Sequence, residues 1–503
     1  MREVKNLTNN RVSNYIYEKR GQIISFLVTF VLCMRVLLPQ EDMLQGYGDV
    51  ADIWKTISSF YSSNVEPSYV LYKGFLSVYP YVWLVKISQM LGMGDWFLLK
   101  IFHSVLFSCV VSIGVPFVVS KLFHIQIKPW RRILLCVLGF YLWNGTKVIQ
   151  TIMIDLPSLF LFVFSVCAAI KIAEQYKTIN KLYFLYAGLL FGCACQYTGQ
   201  YAPSITLLLI FVLVAMFYKK VKEYKGKLVP VLVSVLLLFV GFTIPKAYNH
   251  HFENTFVQQF RDDGVWIGDS EFWTDLAISQ AKRRYTMFWG PTIMNQRTLA
   301  MIMEDKGEEY ECFVESLNYS IGYSKKDVLK LVIKHPVDFV TSWCNGFLLT
   351  VSMNGNDYLV YNRVSFLLIS YTTLFMTLYI LFRQWKTLKG VFVKETYIII
   401  AFVLPALVTC VTHFEPRYVI AMQSLILGTA IYHDTFWNIF KDSFALLKQC
   451  VVQRSIQPLV QIFNTAKFPY TFVLYCVFVV MCFSNYAAIY ETFGADNSIL
   501  FQW

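Results

Sequence analysis

The chain has 503 residues, of which 56% are hydrophobic and only 15% charged, against about 25% charged in a soluble domain. The net charge of +12 raises nucleic acid as a partner, but most short basic clusters fall between apolar runs, where the cytoplasmic loops of a membrane protein carry them. The composition excludes a soluble nucleic-acid-binding domain and predicts an all-α polytopic membrane protein whose first partner is the lipid bilayer.

The N-terminal segment, residues 1–22, carries Arg2, Lys5, Arg11, Lys19 and Arg20 ahead of an apolar run from Ile23 to Leu38. The order is that of a signal peptide. No small-residue cleavage site follows, however, and Arg35 interrupts the run, so an uncleaved first span is predicted. The first outer loop, 39–96, contains an apolar stretch from Val70 to Leu91 broken by Lys73, Pro80 and Lys86. A span there would invert every later loop, so the stretch predicts helices lying on or dipping into the outer surface. Runs near 97–119, 132–146, 151–170, 182–198, 201–218 and 228–245 complete an N-terminal transmembrane module over 23–245. A long, mostly polar extracytoplasmic segment occupies 246–362. Within it, WCNGFLLTVS is too short to cross the bilayer. Runs near 364–382, 396–412 and 418–434 lie in a C-terminal block, 363–434. A cytoplasmic segment follows at 435–469, and a last helix near 470–487 opens the final block, 470–503. The total is about eleven transmembrane helices.

Charge orients them. With a cytoplasmic N-terminus, the loops KLFHIQIKPWRR (121–132), KIAEQYKTINK (171–181), KKVKEYKGK (219–227) and RQWKTLKGVFVK (383–394) all face the cytoplasm, and all are basic. The short connections on the other side carry little beyond Lys147 and Arg417. This is the asymmetry that sets membrane topology.

The 12 cysteines form no framework. Most lie in apolar runs, where Cys behaves as a small hydrophobe. Cys193 and Cys195 lack metal-knuckle spacing. Only Cys312 and Cys344 fall in the long polar segment, and a disulfide between them stays open because sequence supplies no geometry. His250 and His251 are adjacent without partners at zinc spacing, so no metal site is predicted. There is no phosphate-binding loop, no dinucleotide fingerprint and no internal repeat of the kind that many transporters show.

The polar residues with chemical potential gather on the outer side. PQEDMLQGYGDVADIW places Glu41, Asp42, Asp49 and Asp52 just after the first span. Asp49 and Asp52, three apart, share one face if a helix starts early; otherwise they belong to a solvated loop with a helix cap. HFEPRYVIA, 413–421, puts Glu415, Arg417 and Tyr418 in a tight outer turn. These residues either anchor the helices at the interface, or Arg417, oriented by Glu415, binds phosphate through its planar fork. Asp155, followed by Pro157 in TIMIDLPSLFLF, is a functional candidate as an ionisable residue in a span; the competing reading is a carboxylate kinked into interfacial water. Arg35 either snorkels or faces the same cavity as Asp49.

A first span ending in Arg and Pro, a loop opening GDVADIW, interfacial helices, an Asp-x-Pro run and a late HFEPRYVI turn resemble the GT-C membrane glycosyltransferases. The likeness is to the branch holding dolichyl-phosphate-mannose protein mannosyltransferases and bacterial aminoarabinose or mannose transferases. It covers roughly residues 22–435, and His335-Pro336 before an amphipathic helix is a further point of similarity. The resemblance implies a polyprenyl-phosphate-linked sugar as donor and a glycan, lipid or protein as acceptor, with the site on the extracytoplasmic face of a bacterial plasma membrane. It implies that Asp49 acts as general base or orients the acceptor, and that Arg417 faces the donor phosphate. The family's frequent Asp-Glu pair is absent; Asp49 and Asp52 stand there instead, which leaves the base open between them. A divalent cation would need ligands that the sequence does not display. Two other classes remain: a polysaccharide polymerase or ligase with a lipid-diphosphate donor, served by Arg261, Arg283, Arg284 and Arg297, and a non-enzymatic transporter or flippase. The early acidic loop speaks against the first. Ionisable residues restricted to the outer ends of spans, Arg35 and Asp155, speak against the second.

Overall fold

The computed structural model describes residues 2–44, 48–60, 74–144, 148–175, 178–223, 229–261, 364–384, 394–412, 419–453 and 468–494, with isolated positions at 329–347 and 455–457. Every regular element among them is helical. They are α1 (Arg2–Leu37), α2 (Gly48–Ser59), α3 (Phe75–Met90), α4 (Phe97–Cys109), α5 (Val115–Phe123), α6 (Pro129–Asn144), α7 (Asp155–Gln175), α8 (Leu182–Tyr197), α9 (Ala202–Glu223) and α10 (Val229–Arg261). Then follow α11 (Val364–Gln384), α12 (Lys394–Thr412), α13 (Ile420–Tyr432), α14 (Asp434–Gln453) and α15 (Phe468–Gly494). Among the described residues, six helical stretches are both long and apolar enough to cross a membrane. The protein is an all-α, multi-pass integral membrane protein. With no water in hydrocarbon, helices satisfy their own backbone groups, which is why apolar runs of this length take no other form.

Contacts divide the chain into two compact units. One comprises Met1–Ile267, Gln384–Pro405 and Ile420–His433; the other comprises Gly268–Arg383, Ala406–Val419 and Asp434–Trp503. In the second, α11 and α15 meet through Thr372 Oγ1 and Tyr475 Oη at 2.9 Å and through Phe375 against Tyr475 and Phe478.

In the first unit, α8 and α10 cross with their backbones nearly touching. A Cβ on Gly188 would strike the Leu238 carbonyl, one on Gly241 the Leu185 carbonyl, and one on Gly192 the Phe242 carbonyl. Small residues one turn apart allow this approach, which is how helices gain van der Waals contact where lipid offers no hydrophobic drive. A five-residue π turn, Val110–Gly114, joins α4 to α5. It frees a carbonyl, and Arg132 Nη1 donates to Ser112 O at 3.1 Å. Arg131 Nη1 donates to Tyr432 O, the last carbonyl of α13, at 2.5 Å. Both arginines are buried. Sequence alone puts them in a basic loop; here they satisfy carbonyls that a helix end and a π turn leave over.

Contacts between helix ends sort into two sets. Glu174 at the end of α7 receives Lys121 from α5 at 2.6 Å and Lys394 from α12 at 2.9 Å. His124 faces Glu395 at 3.5 Å, and Gln384 faces His433 at 3.1 Å. These ends belong to the basic loops. Lys100 at the start of α4 donates to Gln40 O after α1, and Gln196 at the end of α8 meets Asn249 of α10. These ends belong to the opposite side.

Two elements differ from the sequence reading. The run 151–170 is not helical from its start: α7 begins at Asp155, and Thr151–Ile154 is irregular chain. Also, α10 continues to Arg261, so 246–261 is helix rather than loop. Tyr248 and Phe252 pack against Phe75 from that extension, with ring centroids 6.0 and 4.1 Å away.

Candidate functional site

The first outer loop is built onto the bundle rather than hanging from it. Asp42 Oδ1 accepts the Leu44 N–H at 3.1 Å, a local turn that sets the chain's direction after α1. Met43 O then accepts the Ile152 N–H at 3.2 Å. Trp54 of α2 stacks on Trp96 ahead of α4, centroids 4.0 Å apart. Val50, Ile53, Thr56 and Ile57 are the buried face of α2. The helix begins at Gly48, so Asp49 and Asp52 both lie on it, in its first turns. Acidic residues there favour the helix N-terminus. Their carboxylates lie outside the described residues.

α3 is held at its N-terminus from a distance. Asn249 Oδ1 accepts the Leu76 N–H at 2.8 Å, and Asn249 Nδ2 donates to Gln196 Oε1 at 3.0 Å. Gly74, at φ 85, lets the chain turn there, and a Cβ would lie 2.8 Å from Asn249 Nδ2. At 16 residues, α3 is about 24 Å long, short of the ~30 Å hydrocarbon core. It exposes Trp83, Ile87 and Met90 and carries Lys86 over the Trp83 ring.

Asp155 is the first residue of α7 and is 5% exposed. Pro157 sits in the same first turn, where its missing N–H costs nothing. The sequence alternative, a carboxylate kinked into interfacial water, is therefore corrected: this carboxylate is inside the protein. Tyr81 and Tyr201 lie within its electrostatic reach. Tyr81 Oη donates to Met153 O at 3.0 Å and stands 3.1 Å from His103 Nε2. Burial pushes the Tyr81 phenol well above its ordinary value, and Tyr197 and then Asp155 push it the same way, so it stays a donor.

Arg35 is exposed in the last turn of α1, where a cation also favours the helix C-terminus. Glu415, Arg417 and Tyr418 lie outside the described residues. Cys344 is a free, exposed thiol; Cys312 lies outside the described residues. Among the described residues no group of three or more His, Cys, Asp or Glu side chains is placed to hold a metal ion. Sequence reasoning overlooked Lys100, His103, Tyr81 and Asn249, which are buried or nearly so at this end of the bundle. The available signal was Lys100 and His103, two polar residues three apart in an otherwise apolar run.

No family model matches the chain, and no curated protein matches it. Among solved structures it is similar to the archaeal oligosaccharyltransferase AglB from Archaeoglobus fulgidus, in complex with an inhibitory peptide and a dolichol-phosphate. The TM-score is 0.44 and the identity 11%, over 93% of this chain and 56% of that one. The chain thus spans little more than half the length of that enzyme.

Proposed function

We propose that the protein is a membrane glycosyltransferase of the GT-C type that moves a sugar from a polyprenyl-phosphate-linked donor to an acceptor hydroxyl on the extracytoplasmic face. The observation that carries this reading is the tie between two acidic elements. The chain ahead of α2, the helix that carries Asp49 and Asp52, is hydrogen-bonded through Met43 O to Ile152, three residues before Asp155. Asp155 at the same end of the bundle as α2, opposite the helix ends of the basic loops, suits chemistry on a donor whose phosphate lies at the outer interface.

The mechanism follows from the charges. Asp49 takes the proton of the acceptor hydroxyl, with Asp52 as its alternative. The hydroxyl attacks the anomeric carbon opposite the phosphate and the configuration inverts. Negative charge grows on the departing phosphate, and Arg417, oriented by Glu415 and flanked by Tyr418, stabilises it in the transition state. Arg35 and Asp155 contribute to substrate binding. The short, partly apolar-faced α3 supports an interfacial position for the first loop.

The test is transfer by purified protein in detergent, supplied in parallel with synthetic polyprenyl-phosphate and polyprenyl-diphosphate sugars and a mixed set of acceptors. Transfer from the monophosphate is the expected result. Transfer from the diphosphate alone favours the polymerase or ligase class, and transport without transfer in vesicles favours a transporter.

A further inference from the structure

We propose that Tyr81 and His103 are positioning residues that fix the direction of the Asp155 carboxylate by bracing the irregular chain in front of α7. The inference rests on the glycosyltransferase reading for its kinetic consequence, but not for its structural one.

Val148, Ile149, Thr151, Ile152, Met153 and Ile154 are all buried, although none lies in a helix. Non-helical backbone at membrane depth survives only where protein groups satisfy it. Two of those groups have identified partners. Ile152 N–H donates to Met43 O in the first loop, and Met153 O accepts from Tyr81 Oη. The phenol has one proton. Given to Met153 O, it leaves the phenol oxygen facing His103 Nε2 at 3.1 Å. His103, Tyr81 Oη and Met153 O then form a chain of two hydrogen bonds from α4 through α3 to the peptide two residues before Asp155. Ile149 lies beside the same imidazole, so His103 meets the start of the segment directly and its end through Tyr81. Tyr81 and His103 are fully buried. Neither reaches solvent, which suits bracing and not proton delivery to a substrate.

Three variants separate this role from general stability. Tyr81→Phe keeps the ring and removes the donor. His103→Gln keeps an N–H donor at similar reach, whereas His103→Phe removes it. Hydrogen–deuterium exchange of the peptide covering 148–155 is expected to quicken in Tyr81→Phe and His103→Phe. It should stay near wild type in His103→Gln, with the rest of α7 unchanged in all three. In the transfer assay Tyr81→Phe should raise KM about tenfold with kcat within about twofold, since Asp155 is placed as a substrate-binding group and its misplacement costs ground-state binding. Combined with Asp155→Asn it should cost nothing further, because both changes remove one unit. Unchanged exchange in Tyr81→Phe overturns the proposal, and so do losses that multiply with those of Asp155→Asn. If the wild type transfers no sugar at all, the proposed function fails, while the exchange result still decides whether the brace exists.

Discussion

Asn249 and Leu76 are joined by one hydrogen bond of 2.8 Å across 173 residues of chain, the side-chain oxygen of the one capping the first-turn N–H of the other. The same amide donates to Gln196. One buried side chain thus ties α3, α8 and α10 together at one end of the bundle. Asn249→Leu keeps the volume and leaves a helix N–H and a glutamine oxygen without this partner. The expected loss of stability is about 1–3 kcal/mol, the cost of stranding buried polar groups. Thermal unfolding in detergent and proteolysis within 60–80 measure it; a wild-type melting temperature with an intact loop would show that the aromatic packing of Phe75 and Phe252 suffices.

Six long apolar helices were legible because bilayer thickness fixes the length of an apolar run, whereas the sidedness of the loops rests on lysine and arginine alone. The extent of α10 was not legible. The polar sequence from Lys246 onward reads as loop, and only contact with Phe75 shows that its aromatic face is packed. The start of α7 misled for the opposite reason. Thr151–Ile154 is as apolar as a helix, but its partners, Met43 and Tyr81, lie in a loop that hydropathy cannot place. Asp155 was recognisable as an ionisable residue near a span end, yet its burial was not, and the two phenols within its electrostatic reach, Tyr81 and Tyr201, come from separate parts of the chain. For Asp49 and Asp52, sequence register supplied the helix face, and their roles stay with the enzymology.

Orientation has a direct test in two native thiols. Cys344 is exposed and Cys450 half-buried on α14. Loop charge places the first outside and the second in the cytoplasm. In single-cysteine variants, a membrane-impermeant maleimide should label Cys344 on intact cells and Cys450 only after permeabilisation. Labelling of both from one side would undo the orientation and every role assigned to an outer residue.

The choice of base lies between two positions on α2. Asp49→Asn is expected to lower transfer by about 10²–10⁴, the usual loss on removing a general base, with expression and donor binding close to wild type. Asp52→Asn should lose less. The pair is compared in the same polyprenyl-phosphate assay, and an inactive Asp52→Asn beside an active Asp49→Asn reverses the assignment.

In the proposed function Arg417 is read, from sequence, in the short stretch between α12 and α13, a place that would hold its side chain at the outer interface. A lipid-linked phosphate sits at that same depth, because its isoprenoid tail is held in hydrocarbon. The matching depth separates Arg417 from the arginines of the long outer segment, which no span confines. Arg417→Lys keeps the charge and loses the planar fork, and should weaken use of the donor in part. Arg417→Ala should lower transfer by about 10²–10³, a common loss for one transition-state donor. Glu415→Gln should show a milder defect of the same kind, since it only orients the guanidinium. Rates measured against donor concentration distinguish a transition-state contact, which lowers kcat, from ground-state binding, which raises KM alone. Wild-type rates in Arg417→Ala would make the residue an interfacial anchor and remove the turn from the catalytic machinery.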